Sequence, residues 1–171
     1  MTTQHPKIKI LTLAILIMMA YSFSAQAAVK ASFLYSLSDF TGRIPYNWAR
    51  VSVDKERSEI YVLYQNTLRI FNESGMEIYR FGDDLDLGHI VDMAIEPSGD
   101  ILLLAYKESR GEITHCNYRG VPKSTLRLSN LPDEFSKFAP SRIIYVNGSL
   151  YLISSLEMKI VITDSQGHFK N

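Results

Sequence analysis

One turn recurs three times along this chain and limits what it can fold into. The copies are Asn72-Glu73-Ser74-Gly75, Asn117-Tyr118-Arg119-Gly120 and Asp164-Ser165-Gln166-Gly167. Each follows a largely apolar run: Leu68-Arg69-Ile70-Phe71, Ile113-Thr114-His115-Cys116 and Ile160-Val161-Ile162-Thr163. Asn or Asp closes such a turn with its side-chain oxygen, and the glycine three residues on takes a positive φ without steric cost. The glycines recur about every 45 residues. A fixed period of that length means stacked supersecondary units, none of which can bury its apolar faces alone.

The rest of each unit repeats in order. Upstream of the turns lie the strands Ile60-Tyr61-Val62-Leu63-Tyr64, Ile101-Leu102-Leu103-Leu104-Ala105-Tyr106 and Leu150-Tyr151-Leu152-Ile153. Before these come Val51-Ser52-Val53-Asp54, Met93-Ala94-Ile95-Glu96 and Ile143-Ile144-Tyr145-Val146-Asn147, joined by short polar turns. After the glycine a fourth strand is expected at Glu77–Phe81 and at Thr125–Leu128. Four short strands in 40–50 residues is the sequence signature of a propeller blade. No helical apolar periodicity persists beyond residue 28, so few helices are expected.

The stretch Val51 to Gly82, with Leu68-Arg69-Ile70-Phe71-Asn72-Glu73-Ser74-Gly75 at its centre, resembles an NHL-type repeat of six-bladed β-propellers. The second and third units are weaker copies, and together the three span nearly all of residues 45–171. The resemblance implies an all-β fold: a partial β-propeller of about three four-stranded antiparallel blades after an N-terminal signal helix. The blades are expected at 45–90, 91–139 and 140–171, the last incomplete. Residues 28–44 carry only the outer-strand pattern, since Ala31 to Gly42 matches Glu77 to Gly88. This predicts a closure strand at 32–37 that completes the last blade, the alternative being a leader that pairs with the first.

The N-terminus carries a different message. Lys7 and Lys9 precede an apolar run, no acid occurs before Asp39, and Ala25-Gln26-Ala27 fits a signal-peptidase site. Cleavage is expected before Ala28, with export to the periplasm or beyond in a bacterial-type envelope. An uncleaved anchor is the competing reading, although the run is short of the ~20 residues that span hydrocarbon. The whole chain has 18 basic and 18 acidic residues. Residues 28–171 keep 16 and 18, a net −2, which disfavours nucleic acid as a partner. These 144 residues fall short of the roughly 250 that six blades need. The expectation is a piece of a propeller, or a protomer that self-associates through open blade edges.

Few residues suggest chemistry. Related amidating lyases hold a metal in the channel, but His89, His115 and His168 occupy radial positions that should not converge on one ion. The loop Gly82-Asp83-Asp84-Leu85-Asp86-Leu87-Gly88 has only part of a calcium pattern and reads as a solvated connection. Cys116 sits where the other repeats have Phe71 and Thr163, so it reads as a small core residue. Neither a catalytic constellation nor a cofactor or metal site is expected. The sequons Asn72-Glu73-Ser74 and Asn147-Gly148-Ser149 coincide with repeat turns and read as turn chemistry.

Loops after the outer strands and between second and third strands should share one rim. They contain Arg43, Tyr46, Trp48, Arg50, Asp83, Asp84, His89, Asp92, Lys107, Arg110 and Arg142. Aromatic and Arg side chains dominate contact hot spots, so this rim is the candidate partner surface. The leading expectation is a non-catalytic binding or scaffold module of the cell envelope, with a protein or small ligand as partner. The alternatives are a fragment of a lyase- or lactonase-like propeller enzyme whose catalytic residues lie in missing blades, and a truncated product without function.

Overall fold

The computed structural model describes residues 30–39, 42–43 and 49–170. The expected signal segment 1–27, Tyr46, Trp48 and the Arg43 side chain lie outside the described residues. The chain divides into two units, Met1–Leu34 and Tyr35–Asn171. Of the first, only residues 30–34 are described, and they carry no regular secondary structure.

The second unit is all-β. A two-residue ladder joins β1 (Ser38–Asp39) to β2 (Gly42–Arg43). Blade one follows as β3 (Arg50–Asp54), β4 (Glu59–Tyr64), β5 (Thr67–Phe71) and β6 (Glu77–Phe81). Blade two is β7 (His89–Ile95), β8 (Ile101–Lys107), β9 (Arg110–Cys116) and β10 (Pro122–Leu126). A single 3-10 turn at Asp133–Phe135 interrupts the connection to blade three, which is β11 (Arg142–Val146), β12 (Ser149–Ser154) and β13 (Lys159–Asp164). Each sheet is an antiparallel meander in chain order. Among the described residues no helix is long and apolar enough to cross a membrane.

The three registers superimpose. Arg50 faces Leu63, Asp92 faces Leu104 and Arg142 faces Ile153 across the first two strands of each blade. One strand further out, Leu63 faces Leu68, Leu104 faces Ile113 and Ile153 faces Ile160. Strand residues alternate between faces, so each blade has a forward face toward the next blade and a back face toward the one before. Tyr61, Leu63, Leu68 and Ile70 on the forward face of blade one pack with Met93, Ile101, Leu103, Ala105 and Cys116 on the back of blade two. Ala94, Leu102, Leu104 and Ile113 on the forward face of blade two pack with Ile143, Leu150, Leu152 and Val161 on the back of blade three. Strand β8 is therefore apolar and buried on both faces, the pattern of a strand between two layers. Three meander sheets stacked face to face, with inner strands β3, β7 and β11 side by side, are consecutive propeller blades.

The recurring turn is what the sequence implies. Asn72 Oδ1 accepts the backbone N–H groups of Ser74 and Met76, both at 3.0 Å. Asn117 Oδ1 does the same for Arg119 and Val121, and Asp164 Oδ1 for Gln166 and His168. The glycines have a second role beyond their positive φ. A Cβ on Gly120 would strike the Phe81 ring, and one on Gly167 would lie 2.8 Å from the Arg127 carbonyl oxygen. Phe81 and Arg127 come from the ends of outer strands one blade back, so the turn must be bare where the preceding blade crosses it.

Two details differ from the sequence reading. The fourth strand of blade two is Pro122–Leu126 rather than 125–128: it starts two residues after Gly120, as β6 starts two residues after Gly75, with the same register shift at its entry. The third sheet is incomplete, as the sequence reading expects: it has three full strands, and a fourth begins where Phe169 bridges Thr163 and the Lys170 N–H donates to the Ile162 carbonyl at 2.7 Å. The closure strand expected at 32–37 does not form: these residues are irregular, since a strand needs an edge whose N–H and C=O groups it can satisfy. Regular pairing starts at Ser38, whose N–H donates to the Gly75 carbonyl at 3.1 Å.

Candidate functional site

The up-and-down order puts the start of every inner strand, the hairpins between second and third strands, and the exits of outer strands at one end. Arg50, Asp83, Asp84, His89, Asp92, Lys107, Arg110 and Arg142 all lie at that rim. They do not form one cluster. Asp83 and Asp84 sit in an exposed loop where Asp84 Oδ1 caps its own turn through the Asp86 N–H. His89 is exposed at the start of β7, and Lys107 and Arg110 flank the exposed tip of the β8–β9 hairpin.

The residues that do meet are Arg50, Asp92 and Arg142, the same register position in three consecutive inner strands. They line a cleft of about 340 Å³ whose wall continues as Ser52, Ala94 and Ile144. Asp92 is only 3 % exposed. Its Oδ2 accepts from Arg142 Nε at 2.8 Å and from the Ile143 N–H at 2.9 Å. A buried carboxylate is tolerated when it is hydrogen-bonded and paired with a cation, and a backbone shift between Ile90 and Asp92 aims this one at blade three. The Arg142 side chain remains 43 % exposed. Asp92 thus holds the guanidinium through Nε, and Arg142 lines the cleft; its two Nη nitrogens form an edge of the kind that takes a carboxylate bidentately.

The opposite rim holds a cluster that sequence reading missed. His115 Nε2 lies 3.2 Å from Glu96 Oε2 and 3.1 Å from Asp100 Oδ2. Glu96 follows the inner strand, Asp100 precedes the second, and His115 is on the third. The hairpin registers alone bring them together, because Leu102 pairs with His115 and the Glu96 N–H donates to the Asp100 carbonyl at 2.9 Å. Their ligand atoms lie within 4.8 Å of one another, a spacing that donors ~2.1 Å from one shared ion also show. Lys123 Nζ, at 2.5 Å from Asp100 Oδ2, already supplies the positive charge. This lysine holds the Asp100 carboxyl below its usual range, burial opposing and His115 assisting. The arrangement is an ion-pair network that ties all four strands of blade two. The equivalent positions in the other blades are Asp54, Glu59 and Ile70, and Val146, Ser149 and Ile162, so the network belongs to blade two alone.

The remaining candidates have ordinary partners. His168 Nδ1 is 2.9 Å from Asp164 Oδ2 within its own turn. Cys116 is fully buried between blades one and two, and burial pushes its thiol up to about 11. A thiol held neutral at that level is a poor nucleophile.

No family model matches the chain, and no curated protein sequence matches it. Among solved structures it is similar to a protein of unknown function from Bacteroides caccae, at 16 % identity and a TM-score of 0.49, over 71 % of this chain and 43 % of that one. It is also similar to the Dos1 propeller, at 16 % identity and a TM-score of 0.42, over 80 % of this chain and 38 % of that one. The chain therefore spans less than half the length of either structure. The propeller architecture rests on the superimposed registers and the blade packing.

Proposed function

We propose that this chain is a non-catalytic binding or scaffold module of the cell envelope, built from NHL-type propeller repeats, which contacts an anionic partner at the Arg50–Asp92–Arg142 rim. The observation that carries the reading is the Arg142 guanidinium, held by a buried aspartate and partly exposed at a cleft that a second arginine also lines. An acidic peptide segment or a small carboxylate matches that chemistry. The envelope address rests on Lys7, Lys9 and Ala25-Gln26-Ala27, and N-terminal sequencing of the chain recovered from the periplasm should read from Ala28.

Fluorescence polarisation with a labelled oligo-glutamate peptide tests the rim. Binding should weaken roughly tenfold in Arg142→Ala and also fall in Arg50→Ala and with added salt. Affinity for the peptide that survives both substitutions unchanged would sink the reading. In Lys123→Ala, on the opposite rim, affinity should stay at the wild-type level.

A further inference from the structure

We propose that Glu96, Asp100 and His115 form a binding site for one divalent cation of the zinc class, with Lys123 as its competitor. This goes beyond the rim proposal and does not depend on it. One nitrogen faces two carboxylates in the cluster: His115 Nε2 lies 3.1 Å from Asp100 Oδ2 and 3.2 Å from Glu96 Oε2. An imidazole nitrogen carries at most one proton, so it cannot donate squarely in both directions. A cation where the three atoms converge meets all of them at once. Donors ~2.1 Å from one ion stand roughly 3.0 Å apart at a right angle and roughly 3.4 Å apart at a tetrahedral angle. Both His115 separations fall in that interval. Among the described residues this is the one set of three such ligand atoms brought within 4.8 Å of one another.

The fold places the three donors without help from an ion. They lie on the forward face of blade two, in line with Ala94, Leu102 and Ile113. Ala94 pairs with Leu102, and Leu102 pairs with His115. Two backbone bonds close the turn between the carboxylates: the Gly99 N–H donates to the Glu96 carbonyl at 2.8 Å, and the Glu96 N–H to the Asp100 carbonyl at 2.9 Å. Donors mounted on a hairpin in this way are preorganised. The blade itself has no need of them. Blade three forms the same hairpin with Val146, Ser149 and Ile162 at these positions. Blade one has two carboxylates there, but Asp54 holds Arg57, Glu59 accepts from the Tyr61 hydroxyl, and Ile70 replaces the imidazole.

Charge favours a cation too. Two carboxylates face a single ammonium, and Lys123 Nζ touches only Asp100, at the end of a side chain that is 49 % exposed. With a neutral imidazole the cluster carries a net −1, and a divalent ion in place of the ammonium neutralises it. Lys123 can turn to water when the ion arrives. The side chains of His115, Glu96 and Asp100 are 25 %, 16 % and 18 % exposed, so an ion reaches them from solvent and keeps water in its remaining position. One imidazole nitrogen and two carboxylate oxygens suit zinc, whereas calcium and magnesium favour oxygen throughout. Sequence reading asked whether histidines meet one another; this set uses only one of them.

Isothermal titration of the tag-free full chain with zinc chloride tests the site. One ion should bind per chain, and calcium and magnesium should bind more weakly. Glu96→Gln keeps the shape of the side chain and removes its charge. It should weaken zinc roughly tenfold or more, since even groups that only orient a ligand are worth that much. His115→Gln should do the same. Lys123→Ala decides between a metal site and a structural network: with the competing ammonium gone, zinc should bind several-fold tighter than in the parent. A purely structural network has no zinc affinity to raise. His168→Ala, at the turn of blade three, should leave the affinity unchanged, and every variant should keep the far-UV circular dichroism of the parent. A parent that takes up no zinc overturns the proposal. So does an affinity in Lys123→Ala no tighter than the parent's, or one that is lost with His168 instead.

Discussion

The seam between blades one and two and the seam between blades two and three share a register but not a chemistry. At the first, an apolar layer is flanked by clasps from side chain to backbone. Asn66 Nδ2 donates to the Gly82 carbonyl at 2.6 Å, and its Oδ1 accepts the Ile90 N–H at 2.6 Å. Arg57 reaches the Pro97 and Ser98 carbonyls. At the second, the apolar layer is closed by the buried Asp92–Arg142 pair and by Phe135, Phe138 and Phe169, whose rings meet at 5.9 Å. The backbone repeat fixes where blades touch, and individual residues decide what holds the edges. Function can therefore be added at one seam without disturbing the next, which is where the structure puts its open arginine.

The largest effects should come from the shared layer. Leu103 faces the first seam and Leu104 the second, and both are fully buried. Truncating either to Ala should cost about 2–5 kcal/mol by transfer and cavity terms. Neighbouring repeats couple through their interfaces, so thermal unfolding should remain one transition in both variants. Two separated transitions in Leu104→Ala, with blade three melting first, would break the picture of equivalent seams.

Asp92→Ala should come next, at about 2–3 kcal/mol. It strands the buried Ile143 N–H, whose lost partner alone is worth roughly 1–3 kcal/mol, while Arg142 can turn to water. Arg142→Ala should cost less than Asp92→Lys, which buries a second cation beside the first. Denaturant midpoints for the three variants check the order, and equal values would remove the pair as the lock of the second seam. Asn66→Ala should be milder, about 1–2 kcal/mol. It deletes the clasp at the first seam and places a Cβ-branched-free but L-configured residue at φ 68°, a region that asparagine tolerates better.

How much of this was legible follows from how far each interaction reaches along the chain. The turns at Asn72, Asn117 and Asp164 bond within four residues, so residue type and spacing suffice to place them. The strands read well because β-meander neighbours are also sequence neighbours. The rim assignment follows from strand direction alone and placed Arg50, Asp92 and Arg142 at one end. That Asp92 is buried and grips Arg142, 50 positions away, depends on inter-blade approach, which no local pattern encodes. The Glu96–Asp100–His115 network was within reach: the hairpin register that puts Cys116 opposite Ile101 also puts His115 beside Asp100. The closure strand expected at 32–37 is irregular and pairing begins only at Ser38, because pattern matching does not ask whether an edge is there to receive a strand.

The smallest predicted effect isolates the one charged copy of the recurring turn. Backbone hydrogen bonding from His168, together with its imidazole, holds the Asp164 carboxyl down to about 2. A group whose pKa is lower folded than unfolded stabilises the fold above its unfolded value, ~3.9, and loses that contribution as pH falls through the folded value. Asp164 should therefore contribute fully at neutral pH and progressively less between about pH 4 and pH 2. Asn72 and Asn117 make the same two backbone contacts without a charge, so Asp164→Asn should keep the turn and flatten this part of the stability profile. At neutral pH the variant loses the His168 contact and melts slightly lower. Near pH 2 it should melt with the parent. Thermal midpoints of both proteins across that window decide the matter, and parallel curves would mean that the charge at this turn is incidental and that all three copies work as neutral caps.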